Sequence, residues 1–408
     1  MRKWTAWLLL IALLFVSAAA ETTIDLEAKP TQEAPAETRV YLSESALLTA
    51  PPIDLPCGAA LLAEAESGQI LFQMNADQPR PVASITKIMT ILLTLEAIEK
   101  GRITPDQQTT ISQSASGMGG SQVLLDTGEV QTVSVLLKST IVGSANDACV
   151  ALAELMYGSE ALCVEQMNRR AKQLGMENTH FVNCTGLPAD GQRTTARDVA
   201  IMTLAMLRHD LYYQYSNVWL DDVSHGDGRI TQLTNTNKLI RQYNGCDGGK
   251  TGSTKEAGYC ISATAKRGDM RVIAVVLGAD SGKERFKIAS NMMDYAFANY
   301  RLYPVARRGT KVRGKMPVDG GRPDQIDLML ADDLTLLIAK GSEQNVQLNP
   351  DLPDHLTAPI AAGDPVGSVQ VVLDGREAGR VGVAAAQASE PNGLHGNFLR
   401  LIRKWSIE

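Results

Sequence analysis

An α+β domain followed by a small all-β module is the architecture that this 408-residue sequence predicts. Two strand-like runs open the folded part, a block of helical patterns follows, and strand-like runs return before one closing helix. From about residue 302 only short alternating runs remain. Strands and helices grouped in this way favour a layered α+β domain over a doubly wound one.

The elements follow from the N-terminus. Arg2 and Lys3 precede an apolar run over 4–16, and Ser17, Ala18, Ala19 and Ala20 follow it. The run is shorter than the roughly 20 apolar residues of a spanning helix and ends in an Ala18-x-Ala20 cleavage pattern. Residues 1–20 are therefore expected to be a signal peptide, cleaved rather than kept as an anchor, and the rest an exported, extracytoplasmic protein. Residues 21–54, rich in Glu, Thr, Ala and Pro, are expected to be a flexible lead-in.

The main domain is expected over 55–301. Runs at 59–64 and 69–75 flank the turn signal Glu66-Ser67-Gly68 and read as a hairpin. From Ser84 onward, Ile88, Ile91, Leu92 and Leu95 recur at helical spacing, with Gly101 placed as a C-cap. Further helical patterns cover 133–141, 147–156, 161–174 and 195–207. The third of these stops at Gly175, and the last opens with Thr195 and Asp198 at capping-box-like spacing. Strand runs at 248–252, 258–265 and 272–278 precede a helix over 283–300.

Runs at 325–330, 335–339 and 368–373, punctuated by Gly, Pro and Asp, predict a small β-sandwich over 302–388. In the tail, 389–408, Leu394, Phe398, Leu401, Ile402 and Trp405 share a helical face while Arg400, Arg403 and Lys404 lie around it. Such a segment suits a membrane surface or a helix docked on its own domain.

A net charge of −6, with Lys and Arg spread along the chain, argues against a nucleic-acid partner. The cysteines at 57, 149, 163, 184, 246 and 260 form no CxxC pair and have no His at ligand spacing, so no metal is expected. Single cysteines inside apolar elements favour free buried thiols, although an exported protein permits a disulfide framework.

Three motifs stand in order: Ser84-Ile85-Thr86-Lys87, Ser144-Ala145-Asn146 and Lys250-Thr251-Gly252. Taken singly, they are also what helix caps and solvated charges look like; their order carries the weight. On a helix, residues three apart share a face, so the Lys87 amine would lie beside the Ser84 hydroxyl. A serine needs a base to become a nucleophile, and a lysine serves only if burial or a second cation lowers its pKa. Lys250, on a strand, would be that cation. Ser144 and Asn146, in a loop between helices, would relay a proton and hold Lys87 and the substrate amide. Lys250 and Thr251 suit a terminal carboxylate. The backbone N–H groups of Ser84 and Ser253 would form an oxyanion hole. This chemistry calls for no metal or organic cofactor.

These motifs, with the longer strings Gly143-Ser144-Ala145-Asn146-Asp147-Ala148, Asn235-Thr236-Asn237-Lys238-Leu239 and Asp247-Gly248-Gly249-Lys250-Thr251-Gly252, resemble the serine-type D-alanyl-D-alanine carboxypeptidases among the low-molecular-mass penicillin-binding proteins. The resemblance implies a β-lactamase/transpeptidase-like catalytic domain, an antiparallel sheet with helices on both faces and a helical subdomain. It implies Ser84 as acyl-ester nucleophile, Lys87 as proton acceptor, Ser144 as second active-site serine, and Asn146, Lys250, Thr251, Gly252 and Ser253 as substrate contacts. The implied partners are peptidoglycan stem peptides ending in D-alanyl-D-alanine and acylating β-lactams, met at the cell wall or the outer face of the cytoplasmic membrane. A tail of this kind commonly anchors such enzymes to that membrane. The chain departs from the family at Cys184, where Pro is frequent, and near Arg193, where His is frequent. A β-lactamase of class A would need a Glu-x-x-Leu-Asn loop, which the string 177–183 lacks. A catalytically silent wall-binding module would be expected to have lost a member of the trio.

Overall fold

The computed structural model describes residues 42–44, 53 and 55–393. The expected signal peptide, most of the lead-in and the amphipathic face of the tail lie outside these residues.

In chain order, β1 (Ser43–Glu44), β2 (Ala59–Glu64) and β3 (Gln69–Met74) precede a 3-10 turn, Ala83–Thr86, that runs into α1 (Lys87–Glu99). A small hairpin, β4 (Gln108–Thr110) with β5 (Val130–Thr132), leads to α2 (Val133–Val142), α3 (Asn146–Tyr157), α4 (Glu160–Leu174), α5 (Ala196–Met206) and α6 (Asp210–Ser216). A second hairpin, β6 (Leu220–Ser224) with β7 (Ile230–Thr234), is followed by β8 (Cys246–Thr254), β9 (Gly258–Arg267), β10 (Met270–Ala279) and α7 (Gly282–Asn299).

Side-chain oxygens start four of these helices. Thr132, Ser159, Thr195 and Ser281 accept from the backbone N–H of Val135, Leu162, Asp198 and Glu284 at 3.1–3.4 Å. Gly158 and Gly175 end α3 and α4 in the left-handed region.

The main sheet has the order β1-β3-β2-β10-β9-β8, with every pairing antiparallel except β1 to β3. Its alternation sorts two cores. Ala59, Leu61, Ala63, Ile273, Val275 and Leu277 face the helical side with α1 and α5, whereas Ala60, Leu62, Val272, Ala274 and Val276 meet Ile288, Met292 and Met293 of α7. Helices thus cover both faces, and the central strands β2 and β10 are buried along most of their length.

Ser43–Glu44 corrects the expected lead-in: it is part of the sheet. The outer edge of β3 offers unpaired backbone groups, and Ser43 N–H donates to Gly68 O at 3.0 Å there. At the other boundary, the strand Tyr300–Ala306 leaves α7 directly and pairs with Leu334–Ala339. Beyond it lies a six-stranded sheet with its own core, including Ile326, Leu328, Val371 and Val383. All six cysteines are free thiols, four of them buried.

Candidate active site

The nucleophile candidate sits on a strained turn. Ala83 holds a positive φ of 50°, and the turn places Ser84 three residues before α1, in 3-10 rather than α-helical geometry. Two glycines make room for this turn. A Cβ at Gly186 would lie 2.0 Å from Ala83 O, and one at Gly252 would lie 2.6 Å from Val82 O and 2.9 Å from Ser84 N. Only glycine lets β8, the edge strand of the sheet, approach the nucleophile so closely.

Lys87 is fully buried at the head of α1, and its Nζ lies 3.0 Å from Ser84 Oγ and 2.6 Å from the Thr185 carbonyl. Burial strips water from its ammonium form and lowers its pKa from 10.5 to about 8. The Thr185 segment is itself held, because Thr90 Oγ1 donates to Cys184 O at 2.9 Å and Gly186 N–H donates to Asn183 Oδ1 at 2.7 Å.

Ser144 is buried between α2 and α3 and adopts a left-handed φ of 58°. Asn146 is the first residue of α3 rather than a loop residue. Its Nδ2 donates to Gly119 O at 2.6 Å, while its Oδ1 is buried without a partner. The expected contact of Asn146 with Lys87 is not made: the amine meets the Thr185 carbonyl, the Asn146 Nδ2 meets the 118–125 loop, and its Oδ1 stays open. Asp147 ties the same loop down, accepting from Val123 N and Leu125 N at 3.1 Å each.

Lys250 is delivered by β8, buried to 1% exposure, with Nζ donating to its neighbour's carbonyl, Thr251 O, at 3.1 Å. Its pKa falls well below 10.5, first from burial and then from the cations Lys87 and Arg285. Thr251 Oγ1 donates to Thr236 Oγ1 at 2.8 Å. Arg285, in the first turn of α7, donates to Gly252 O at 3.0 Å and Cys260 O at 3.2 Å, bracing the strand from the far side. Gly252 and Ser253 follow on β8, Gly252 against the Ser84 turn. Among the described residues no group of three or more metal-binding side chains is present.

A family model described as D-alanyl-D-alanine carboxypeptidase matches residues 46–281, more than half of the chain. The chain belongs to the D-alanyl-D-alanine carboxypeptidase family. A second model, described as the C-terminal domain of penicillin-binding protein 5, matches residues 300–391. The D-alanyl-D-alanine carboxypeptidase DacF of Bacillus subtilis is 38% identical over 349 residues, 85% of this chain and 90% of that protein. DacD of Escherichia coli, also a D-alanyl-D-alanine carboxypeptidase, is 33% identical over 81% of this chain and 86% of its own length. Among solved structures, penicillin-binding protein 5 of Haemophilus influenzae superposes with a TM-score of 0.73 at 30% identity, covering 84% of this chain and all of that one. Penicillin-binding protein 6B of Escherichia coli gives 0.69 at 28% identity, covering 84% of this chain and 99% of that one.

Within this carboxypeptidase family fold, sequence reasoning missed three supporting groups: the Thr185 carbonyl, Asp147 and Arg285. The backbone carbonyl has no residue-type signature. Asp147 was visible only as the residue after Asn146, and Arg285 only as one charge among several in a helical pattern.

Proposed function

We propose that Ser84 is the nucleophile of a serine D,D-carboxypeptidase that removes the terminal D-alanine from peptidoglycan stem pentapeptides through an acyl-enzyme. The observation that carries this reading is the Lys87 Nζ, 3.0 Å from Ser84 Oγ and with its pKa lowered to about 8. A neutral amine has two N–H groups and one lone pair. With one N–H engaged by Thr185 O, the lone pair is free to accept the Ser84 hydroxyl proton as the oxygen attacks the penultimate carbonyl.

The substrate lies along β8 as an added strand, which an open sheet edge beside the nucleophile supports. Its terminal carboxylate meets Lys250 and the Thr251 hydroxyl. The oxyanion is held by the Ser84 and Ser253 backbone N–H groups. The unpartnered Asn146 Oδ1 accepts a substrate amide N–H, and Ser144 passes the proton to the departing D-alanine nitrogen. Water then releases the acyl group. A β-lactam opens on the same serine and remains as an ester.

The reading places the enzyme outside the cytoplasm, at the cell wall or the outer face of the membrane, with 1–20 as export signal and the rest of the expected tail as a membrane-surface segment; its first residues, 389–391, instead pair within the β module, where Ser389 is buried. No helix among the described residues is long and apolar enough to cross a membrane.

Incubation with a labelled penicillin and with a pentapeptide ending in D-alanyl-D-alanine tests the assignment. D-alanine release and a single adduct on Ser84 are expected, both lost in Ser84→Ala. An adduct on another residue, or release by Ser84→Ala, overturns it, and rapid turnover of the adduct identifies a β-lactamase instead.

A further inference from the structure

The start of β8 is irregular where regularity would be expected to matter most. Its pairing with β9 slips between Cys246, opposite Ala265, and Gly248, opposite Thr264, so Asp247 is an extra residue in the ladder. Regular pairing resumes at Gly248, two residues before Lys250. Lys250 makes one hydrogen bond from its amine, to the carbonyl of its own neighbour, so its place in the cleft is set by the backbone that carries it.

Side chains from the helical half hold that backbone. The Tyr212 hydroxyl on α6 accepts the Gly249 N–H at 2.8 Å, Ser216 Oγ, one turn on, donates to Asp247 O at 2.6 Å, and Asn237 Nδ2 donates to Gly248 O at 2.9 Å. All three side chains are buried, to 1–2% exposure. The fit depends on the two glycines. A Cβ at Gly248 would lie 2.6 Å from the Tyr212 hydroxyl oxygen, and Gly249 holds a φ of 112° with its Cβ position 2.1 Å from Ser262 O. The Asp247 carboxylate closes the other side, bound by Thr264 Oγ1 at 2.7 Å and the Arg271 guanidinium at 2.7 Å.

We propose that Tyr212 is a positioning residue that fixes Lys250 for the substrate carboxylate, by latching the Gly249 N–H at the end of this bulge. The proposal rests on the assignment of Lys250 as carboxylate anchor. Without the hydroxyl, the Gly249 N–H loses its partner in the interior, and the bulge relaxes toward whatever partner it can find. The lysine then moves, while Ser84 and Lys87, held by a different turn and a different carbonyl, do not. Binding of the carboxylate is lost and the chemical step is kept.

The test is a double-mutant cycle on Tyr212→Phe and Lys250→Met, read as the second-order rate of Ser84 acylation by a penicillin and as KM and kcat on the pentapeptide. Tyr212→Phe is expected to raise KM roughly ten-fold with kcat within about two-fold, and to change the rates by less than about two-fold once Lys250 is Met. Equal losses in both backgrounds would assign Tyr212 to general stability, and no effect in either would remove it from the site; each overturns the proposal. Ser216→Ala, which breaks the same bulge at Asp247 O, runs the same cycle if Tyr212→Phe folds poorly. Failure of the wild type to acylate would refute the enzymatic reading itself, an outcome distinct from wild-type acylation with additive losses.

Discussion

The amine of Lys87 is 2.6 Å from the carbonyl oxygen of Thr185, a residue 98 positions away in the chain. That contact orients a buried lysine whose other neighbour is the Ser84 hydroxyl, and the burial of its amine gives acylation a pH dependence. The amine, lowered from 10.5 to about 8, acts as base only when unprotonated, so its active fraction grows as pH rises. Acylation of Ser84 by a penicillin is expected to climb as pH rises toward about 8 and to fall again at higher pH, where Lys250, also held well below 10.5, loses the charge that meets the carboxylate. Stopped-flow rates across this range check it, and a profile that rises only near pH 10.5 contradicts it.

Lys250 is a buried cation with two cations for neighbours, so its charge is a burden to the folded state. Lys250→Met keeps most of the volume and removes the charge. The melting temperature is expected to hold or rise, while kcat/KM on the peptide falls by about a hundred-fold through loss of the carboxylate contact. Calorimetry beside a D-alanine release assay measures both; a parallel loss of stability and activity argues against the carboxylate role.

Gly252 is the point where the edge strand touches the nucleophile turn. In Gly252→Ala the new methyl would lie 2.9 Å from Ser84 N and 2.6 Å from Val82 O, both backbone atoms that cannot swing aside. The strand must retreat, and overpacking of this kind costs about 1–3 kcal/mol. Acylation is expected to fall at least ten-fold by rough estimate, because the oxyanion donors on the two sides move apart. Chemical denaturation and penicillin labelling give the two numbers.

Asp147, 1% exposed, accepts from the buried N–H groups of Val123 and Leu125. Asp147→Ala leaves these donors unpaired, at about 1–3 kcal/mol for each. The loop they belong to presents Gly119 O to Asn146 Nδ2, so the side chain of Asn146 should lose its orientation as well. A lower denaturation midpoint with faster amide exchange at Val123 and Leu125 is expected; protection equal to the wild type contradicts it.

Much of this was legible in the sequence. Runs of β-branched or small residues at 258–265 and 272–278 mark strands buried on two faces, and Thr195 with Asp198 marks a helix start that the structure supplies. The first and third motifs meet, with Lys87 beside Ser84 and Gly252 against the Ser84 turn. What was not legible follows from the physics of short range. The helix Asp210–Ser216, with three tyrosines in seven residues, carries too few turns for a periodic signal, yet it supplies the Tyr212 and Ser216 hydroxyls. Carbonyl contacts such as Thr185 O leave no mark on residue type. The contact of Asn146 Nδ2 with Gly119 O was not legible because the 118–125 loop has no periodic pattern of its own.

Ser84 and Lys87 belong to the helical half, and Lys250 to Ser253 belong to the sheet edge, joined at Gly252. Covalent labelling by a penicillin therefore counts molecules in which the two halves have docked. In a refolding experiment the antibiotic would therefore report the docking of the edge strand rather than chain compaction.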